Sequence, residues 1–399
     1  MTARLKSSLA SARGFSLIEL MISIALALLL SLAIVQVLLS SKYAFVLDRE
    51  SAIIQENARY ALEVIRRETA VAGTMCRPDA NVANVVLGSG ASDKPELGAP
   101  GIEGFDDADG GFPDEYSASI HSGTDSLYVR GVQGEPTYLN AVESLTSFLG
   151  GLASSVLGLV LDLENLDPTD IEQVIAVSTD LSGSAFQSGD ILMISDGSCE
   201  QVVVAKTSEI SENNLIFETA GVENCEVGLG PGVGATGFSS FDCSTVGTLT
   251  TALPILDGTT ITEYGAQGFY IADSAISSDI PALWRSRLTT DSNGDSVMVE
   301  EELVQGVENM QLLFGYDTDT PRDGVPDAYL KANDDSLLSG SWDWTRVMSV
   351  RVSLLIRSID TIEATPFAQD DFEGISIADD RYLRHQIHTV IQLKNRSGY

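Results

Sequence analysis

The sequence predicts an α+β protein in which a long N-terminal helix, half membrane-spanning and half amphipathic, packs on an antiparallel β-sheet head. Three observations predict it. Leu20 to Leu39 is a run of twenty residues in which only Ser23, Ser31 and Gln36 are polar. Ile54, Ala58, Ala61, Ile65 and Ala72 then recur at three- to four-residue spacing, the period of a helix with one apolar stripe. In the C-terminal third, apolar residues alternate with the period of a strand: Met310, Leu312, Phe314 and Tyr316 share one face of the first strand. Val350, Val352, Leu354 and Ile356 share a face of a second, and Ile387, Thr389, Ile391 and Leu393 of a third. Such strands make an antiparallel sheet covered on one side, and the amphipathic helix is its natural cover.

Each element follows from its residues. The first fourteen, MTARLKSSLASARG, carry only Arg4, Lys6 and Arg13 as charges, and a basic end flanking an apolar run stays in the cytoplasm. At about 1.5 Å rise per residue the apolar run spans roughly 30 Å, one bilayer crossing. A secretory signal would have a shorter apolar core and a small-residue cleavage site beyond it. Past the membrane, Arg59, Glu63 and Arg67 sit at i,i+4 spacing on a solvated face, where each pair adds only a few tenths of a kcal/mol. Gly73 is the expected helix stop, giving a helix of roughly 85 Å from Phe15 and a stem-and-head shape.

Composition narrows the function. The chain has 399 residues with 23 basic and 57 acidic ones, a formal charge of −34. A surface so acidic repels phosphate backbones, which excludes a nucleic-acid partner. At 44% hydrophobic residues the chain is too apolar for a disordered protein.

Glu19 is the only charged residue between Arg13 and Lys42, at the mouth of an apolar helix where a carboxylate normally needs a partner. Gly14-Phe15-Ser16-Leu17-Ile18-Glu19 resembles the type III signal of type IV pilins and pseudopilins. The resemblance implies that a prepilin peptidase cuts after Gly14 and that Phe15 becomes the N-methylated N-terminus. It also implies that Glu19 pairs with the N-terminal amine of a neighbouring subunit. The implied divisions are a leader at 1–14, a transmembrane and assembly half at 15–41, an amphipathic half at 42–73 and a periplasmic head at 74–399.

In the head, residues 80–123 are rich in Gly, Asp, Ser and Pro and read as loops. Ser126 to Gly131, Asp190 to Ile194, Gln201 to Ala205 and Asn214 to Glu218 read as strands. The turn Ser211-Glu212-Asn213-Asn214 is expected to join the last two as a hairpin. That hairpin would set Cys199 opposite Cys225 as a bridge, leaving Cys76 with Cys243. Four cysteines allow three pairings, and free buried thiols are the alternative. Ser144 to Leu161, eighteen residues without a charge, reads as a buried or amphipathic helix, with a partner-binding face and a membrane contact as competing readings.

Two acidic loops are candidates for calcium. Asp317, Asp319, Asp323 and Asp327 surround Gly324, as calcium's need for several oxygens on a bent loop requires, and a solvated acidic loop is the competing reading. Asp291, Asn293, Asp295 and Glu302 have calcium-loop spacing, but Ser296 stands where glycine belongs and Asn293-Gly294 makes a better hairpin turn. Gly232 to Gly237 spells GxGxxG with no strand before it or helix after it. His121 stands alone, and His385 and His388, three apart in a strand, point to opposite faces. No catalytic constellation emerges, so no enzyme is expected.

Glu56 to Leu62 with Ala72-Gly73 and Cys76, then Glu302 to Met310, Phe314-Gly315-Tyr316-Asp317, Trp344 to Arg357 and Leu393 to Arg396, resemble the PilW-type minor pilins in order of motifs. This resemblance covers the first eighty and last hundred residues. It implies an inner-membrane subunit that primes type IV pilus assembly and then sits at or near the extracellular fibre tip. The implied partners are other minor pilins, the major pilin, the prepilin peptidase and a large tip adhesin. The alternatives are a type II secretion pseudopilin and, from a different class, a membrane-tethered periplasmic ligand-binding protein.

Overall fold

A computed structural model of the protein describes residues 16–73, 81–84, 101–107, 120–138, 173–176, 186–195, 201–207, 209–211, 214–217, 260–291, 296–338, 340–362, 370–377 and 379–394. The chain divides into two compact units, residues 1–53 and 54–399. One helix, α1 (Leu17–Thr69), contributes to both. It ends four residues before Gly73, because the backbone tightens there: the Ala72 N–H donates to the Thr69 carbonyl three residues back at 3.0 Å. Gly73 still serves the exit, with φ +64° and its N–H on the Arg130 carbonyl at 2.8 Å.

In the first unit, leucines and isoleucines from Leu17 to Leu39 are exposed on every side of the helix. The segment is long and apolar enough to cross a membrane. A helix apolar all round has no aqueous face to present, unlike the stripe that follows it.

In the second unit, fifteen strands are described: β1 (Asn81–Asn84), β2 (Ile102–Phe105), β3 (Ser126–Tyr138), β4 (Gln173–Ala176), β5 (Ile191–Ser195), β6 (Gln201–Lys206), β7 (Glu209–Ser211), β8 (Asn214–Phe217), β9 (Thr260–Asp273), β10 (Pro281–Thr290), β11 (Ser296–Gln305), β12 (Val307–Tyr316), β13 (Ala328–Leu330), β14 (Val347–Arg357) and β15 (Arg384–Gln392). A four-stranded antiparallel sheet runs β13-β12-β14-β15. Its register lines up the alternating residues across three strands: Met310 with Leu354 and Ile387, Leu312 with Val352 and Thr389, Phe314 with Val350 and Ile391. Ile54, Ala58, Ala61 and Ile65 of α1 are buried in the same core, so the amphipathic stripe covers this sheet as expected.

A larger sheet of eight strands runs β1-β6-β5-β9-β10-β11, with β3 added to β9 and β2 to β3. Sequence reasoning found parts of β3, β5 and β6 but missed β9, the fourteen-residue strand at its centre. The reason is burial on both faces. Phe269 and Ile271 enter the core beneath α1, whereas Tyr264, Ala266, Tyr270 and Ala272 enter a second core with Tyr128 and Met193. A strand covered on both sides has no reason to alternate polar with apolar residues. β1 and β2 also interrupt the stretch read as loops.

The expected hairpin is corrected by the register. The Ser211–Asn214 turn does close a hairpin, but between β7 and β8, which with β4 form a separate three-stranded sheet. β6 instead pairs with β5 antiparallel and with β1 in parallel. The cross-strand argument for Cys199 and Cys225 therefore loses its register, and those two with Cys76 and Cys243 lie outside the described residues. The sequence between β6 and β8 is long enough for a short extra strand, and the period-two signal does not say which of two successive strands a turn belongs to.

Two glycines are required by close approach. Gly306, at φ +85°, turns β11 into β12 beneath the Arg357 carbonyl, where a Cβ would sit 2.6 Å from that oxygen. At Gly104 in β2 a Cβ would overlap the Phe314 ring, so the smallest residue admits an aromatic ring into the core.

Candidate assembly site

Gly14 and Phe15 lie outside the described residues; the described chain starts at Ser16, just before the first turn of α1. Glu19 occupies that turn, where the unpaired N–H groups of a helix start favour an anion. Its carboxylate accepts the Ser16 N–H at 3.4 Å, a long contact. Ser23 Oγ donates to the Glu19 carbonyl at 2.6 Å, which satisfies the hydroxyl inside the apolar run. Among the described residues Glu19 makes no ion pair, and its neighbours Leu17, Ile18, Leu20 and Met21 are all exposed apolar groups. A carboxylate so surrounded is costly in lipid until a cation from elsewhere meets it.

The face read as solvated is exposed, but its pairing differs from the expected i,i+4 ladder. Glu63 binds Arg66 through both carboxylate oxygens, at 2.7 and 3.0 Å, and Arg67 binds Glu68. The Arg66 hydrogen bond holds the Glu63 carboxyl below its ordinary value. Arg59 takes no part in an ion pair among the described residues.

The loop from Asp317 to Asp327 is closed by its own carboxylates. Asp317, fully buried, accepts the N–H groups of Asp319 and Gly324 at 3.0 and 2.9 Å and that of Asp323 at 3.2 Å. Asp327 accepts the Thr318 N–H and Oγ1, and Asp323 accepts the Val325 N–H. Asp319 is left exposed, and repulsion by Asp327, followed by partial desolvation and by Asp323 and Asp317, raises its pKa. Asp317, Asp323 and Asp327 each turn an oxygen to a backbone donor, and no three acidic, His or Cys side chains converge on a metal position among the described residues. The donor set in this arrangement is a loop clamp rather than a formed calcium cage.

The other candidates separate in space. β10 and β11 pair from Ala282 with Gln305 to Thr290 with Ser296, which is the hairpin that Asn293-Gly294 signals; Asn293 and Asp295 are outside the described residues. Glu302 stands opposite Trp284, well inside the ladder, and accepts from Ser274 Oγ, the Ala275 N–H and Gln305. His121 binds Asp273 at 2.7 Å. His385 and His388 lie in β15 at positions of opposite parity. Ser144 to Leu161 and Gly232 to Gly237 are outside the described residues.

Sequence reasoning missed two charged clusters that hold the head. Arg384 on β15 is buried and bridges Glu308 and Asp380, which hold its pKa raised despite burial. Asp125 accepts the Leu312 N–H at 2.7 Å and the Asp107 N–H at 3.1 Å, and burial pushes its carboxyl up to about 6. Asp380 is four residues from Arg384, but Glu308 is 76 residues from it and Leu312 is 187 from Asp125, so neither cluster as a whole has a local signal.

Comparison with known families meets both ends of the molecule. Residues 9–35 match the prokaryotic N-terminal methylation motif, and residues 268–395 match type IV pilus-assembly protein W. No curated protein and no solved structure matches the chain. The second match begins within β9 and ends just past β15, so it covers the whole four-stranded sheet that α1 caps. Such domains point to a structural rather than a catalytic protein, anchored in a membrane by its N-terminal helix. The methylation motif, which runs into the first half of α1, and the pilus-assembly match over the C-terminal third of the head are both likenesses to a PilW-type type IV pilin.

Proposed function

We propose that this protein is a minor pilin that primes type IV pilus assembly from the inner membrane and is carried to or near the fibre tip, with its head periplasmic before assembly and extracellular after it. In this reading residues 1–14 are removed by the prepilin peptidase, Phe15 is N-methylated, residues 15–41 form the membrane half of the stem and residues 42–73 its amphipathic half. Its partners are other minor pilins, the major pilin and a large tip adhesin.

The observation that carries the reading is Glu19: the one charge on the exposed, largely apolar first half of α1, from Leu17 to Leu39, with no ion-pair partner among the described residues. The amine of a neighbouring processed subunit supplies the missing charge, and in a low-dielectric bundle such a pair has few competitors. Helix packing by dispersion and this pairing hold the stem in the fibre.

The test is the N-terminal mass of protein recovered from membranes with and without the prepilin peptidase, joined to gold labelling of the head on fibres. N-methylated Phe15 that depends on the peptidase, with label at fibre ends, is the expected result. An intact Met1 terminus in both strains would overturn processing, and label along the whole shaft would overturn the tip position. Normal fibres with lost secretion in a deletion strain would move the protein to a type II secretion system.

A further inference from the structure

Sheet edges expose unpaired backbone donors and acceptors, and proteins that do not use them blunt them with short strands, charges or proline. Most edge strands described here follow that rule. β1, β2, β4, β7 and β13 have only three or four residues each. β11 is long, but it carries Glu300, Glu301 and Glu302 in succession. β15 is the exception among the described edges: nine residues, Arg384 to Gln392, with no proline and no carboxylate, paired only with β14. Its one formal charge, Arg384, is buried and turned to Glu308 and Asp380. Val390 is half exposed on it.

Beside this edge lies a groove of about 390 Å³ between β15 and α1. Ala58, Leu62 and Ile387 supply apolar surface to it. Arg59 and Arg66 supply its positive groups, and Glu63, the acidic group of its lining, is already bound to Arg66. Arg59 is exposed and unpaired among the described residues. In a chain with a formal charge of −34, a groove whose free charge is positive selects its occupant by sign.

The geometry points to β15 as a docking edge that accepts one extended, acidic segment of a partner subunit, added as a fifth strand of the four-stranded sheet, with carboxylates on Arg59. Backbone hydrogen bonds along β15 give the affinity, and alternate side chains of the added strand fall into the groove and away from it. This deepens the assembly reading by naming a head contact, and it rests on that reading only for the identity of the partner as a subunit.

The test uses the full-length protein in detergent and three labelled decapeptides: alternating Val and Glu, alternating Val and Lys, and the Val-Glu peptide with two central prolines. Binding is read by fluorescence anisotropy, and amide hydrogen exchange locates it. The expected result is slowed exchange over residues 384–392 with the Val-Glu peptide alone. Arg59→Glu, an exposed change that leaves the thermal melt in place, weakens binding by about tenfold or more, and Arg59→Lys by about threefold or less. Equal binding of the Val-Lys peptide, protection elsewhere, or no protection at millimolar peptide would overturn the proposal. Slowed exchange of β15 in the protein alone with rising concentration would give the edge to a second copy and overturn the partner. Failure here with normal processing of Phe15 leaves the assembly reading intact, and an unprocessed terminus with intact peptide binding does the reverse.

Discussion

Two stretches of one helix make the instructive comparison. From Leu17 to Leu39 α1 is apolar around its whole circumference and exposed, whereas from Ile54 to Ile65 it is apolar on a single stripe and that stripe is buried. Both are helices rich in Leu, Ile and Ala, so secondary structure does not distinguish them. What differs is the solvent each is written for. The first segment is long and apolar enough to find its complement in lipid, and Glu19 is the one charge on it. The second finds its complement in the sheet of its own chain, where close packing and paired buried charges fix one arrangement.

The comparison breaks most visibly at Glu19. Glu19→Val is expected to leave the head's melting temperature and the N-terminal processing unchanged while abolishing incorporation into fibres, checked by calorimetry, N-terminal mass and immunoblots of sheared pili. Wild-type incorporation of this variant would mean that the stem packs by dispersion alone. Phe314→Ala, by contrast, removes a ring buried against Trp342 and Trp344 and is expected to cost about 3–5 kcal/mol of head stability. Leu29→Ala deletes apolar bulk from the membrane half and is expected to shift head unfolding by no more than about 0.5 kcal/mol in detergent. Equal losses from both would contradict the division of labour along the helix.

A smaller effect sharpens the electrostatic side. Asp125 has a folded pKa of about 6, above the ordinary 3.8, so its contribution to stability is fully present below about pH 4 and is lost as pH rises through 6. Denaturant melts of the head at pH 7 and pH 4.5 should therefore differ by about 1–3 kcal/mol from this group, favouring the lower pH, with the difference diminished in Asp125→Asn. No such titration is expected from the outward face of α1, where the Glu63 pair is exposed. The smallest expected effect is that of calcium. With Asp317, Asp323 and Asp327 engaged by backbone N–H groups, the Asp317–Asp327 loop should leave the melting temperature within about 1 °C on adding millimolar calcium. A larger rise would assign the loop a cation.

The residues that sequence reasoning placed well share a local signal. The apolar stripe Ile54, Ala58, Ala61 and Ile65 and the alternating faces of β12, β14 and β15 are periodic because one side of each meets core and the other water. Three of the four strands of that sheet are therefore legible, with the face that α1 covers, whereas β13 (Ala328–Leu330) is too short to show a period. β9 was not, because cores on both faces erase the alternation that a strand otherwise writes into sequence. The hairpin near Ser211 was half legible: its turn chemistry is local, but the partner of β6 is chosen by β5 and β1, about ten and 120 residues back in the chain.

By itself the sequence determined the membrane-length apolar run, the carboxylate at Glu19 and the motif before it, since each is a property of consecutive residues and of their transfer between water and lipid. Only the tertiary structure decided that Arg384 meets Glu308, that Asp125 is buried against Leu312, and that, among the described residues, β15 ends a sheet with neither proline nor carboxylate beside an unpaired Arg59. Those are relations between residues distant in sequence. Their energies depend on desolvation and on which backbone groups remain unpaired, and both are set only when the strands have taken their places.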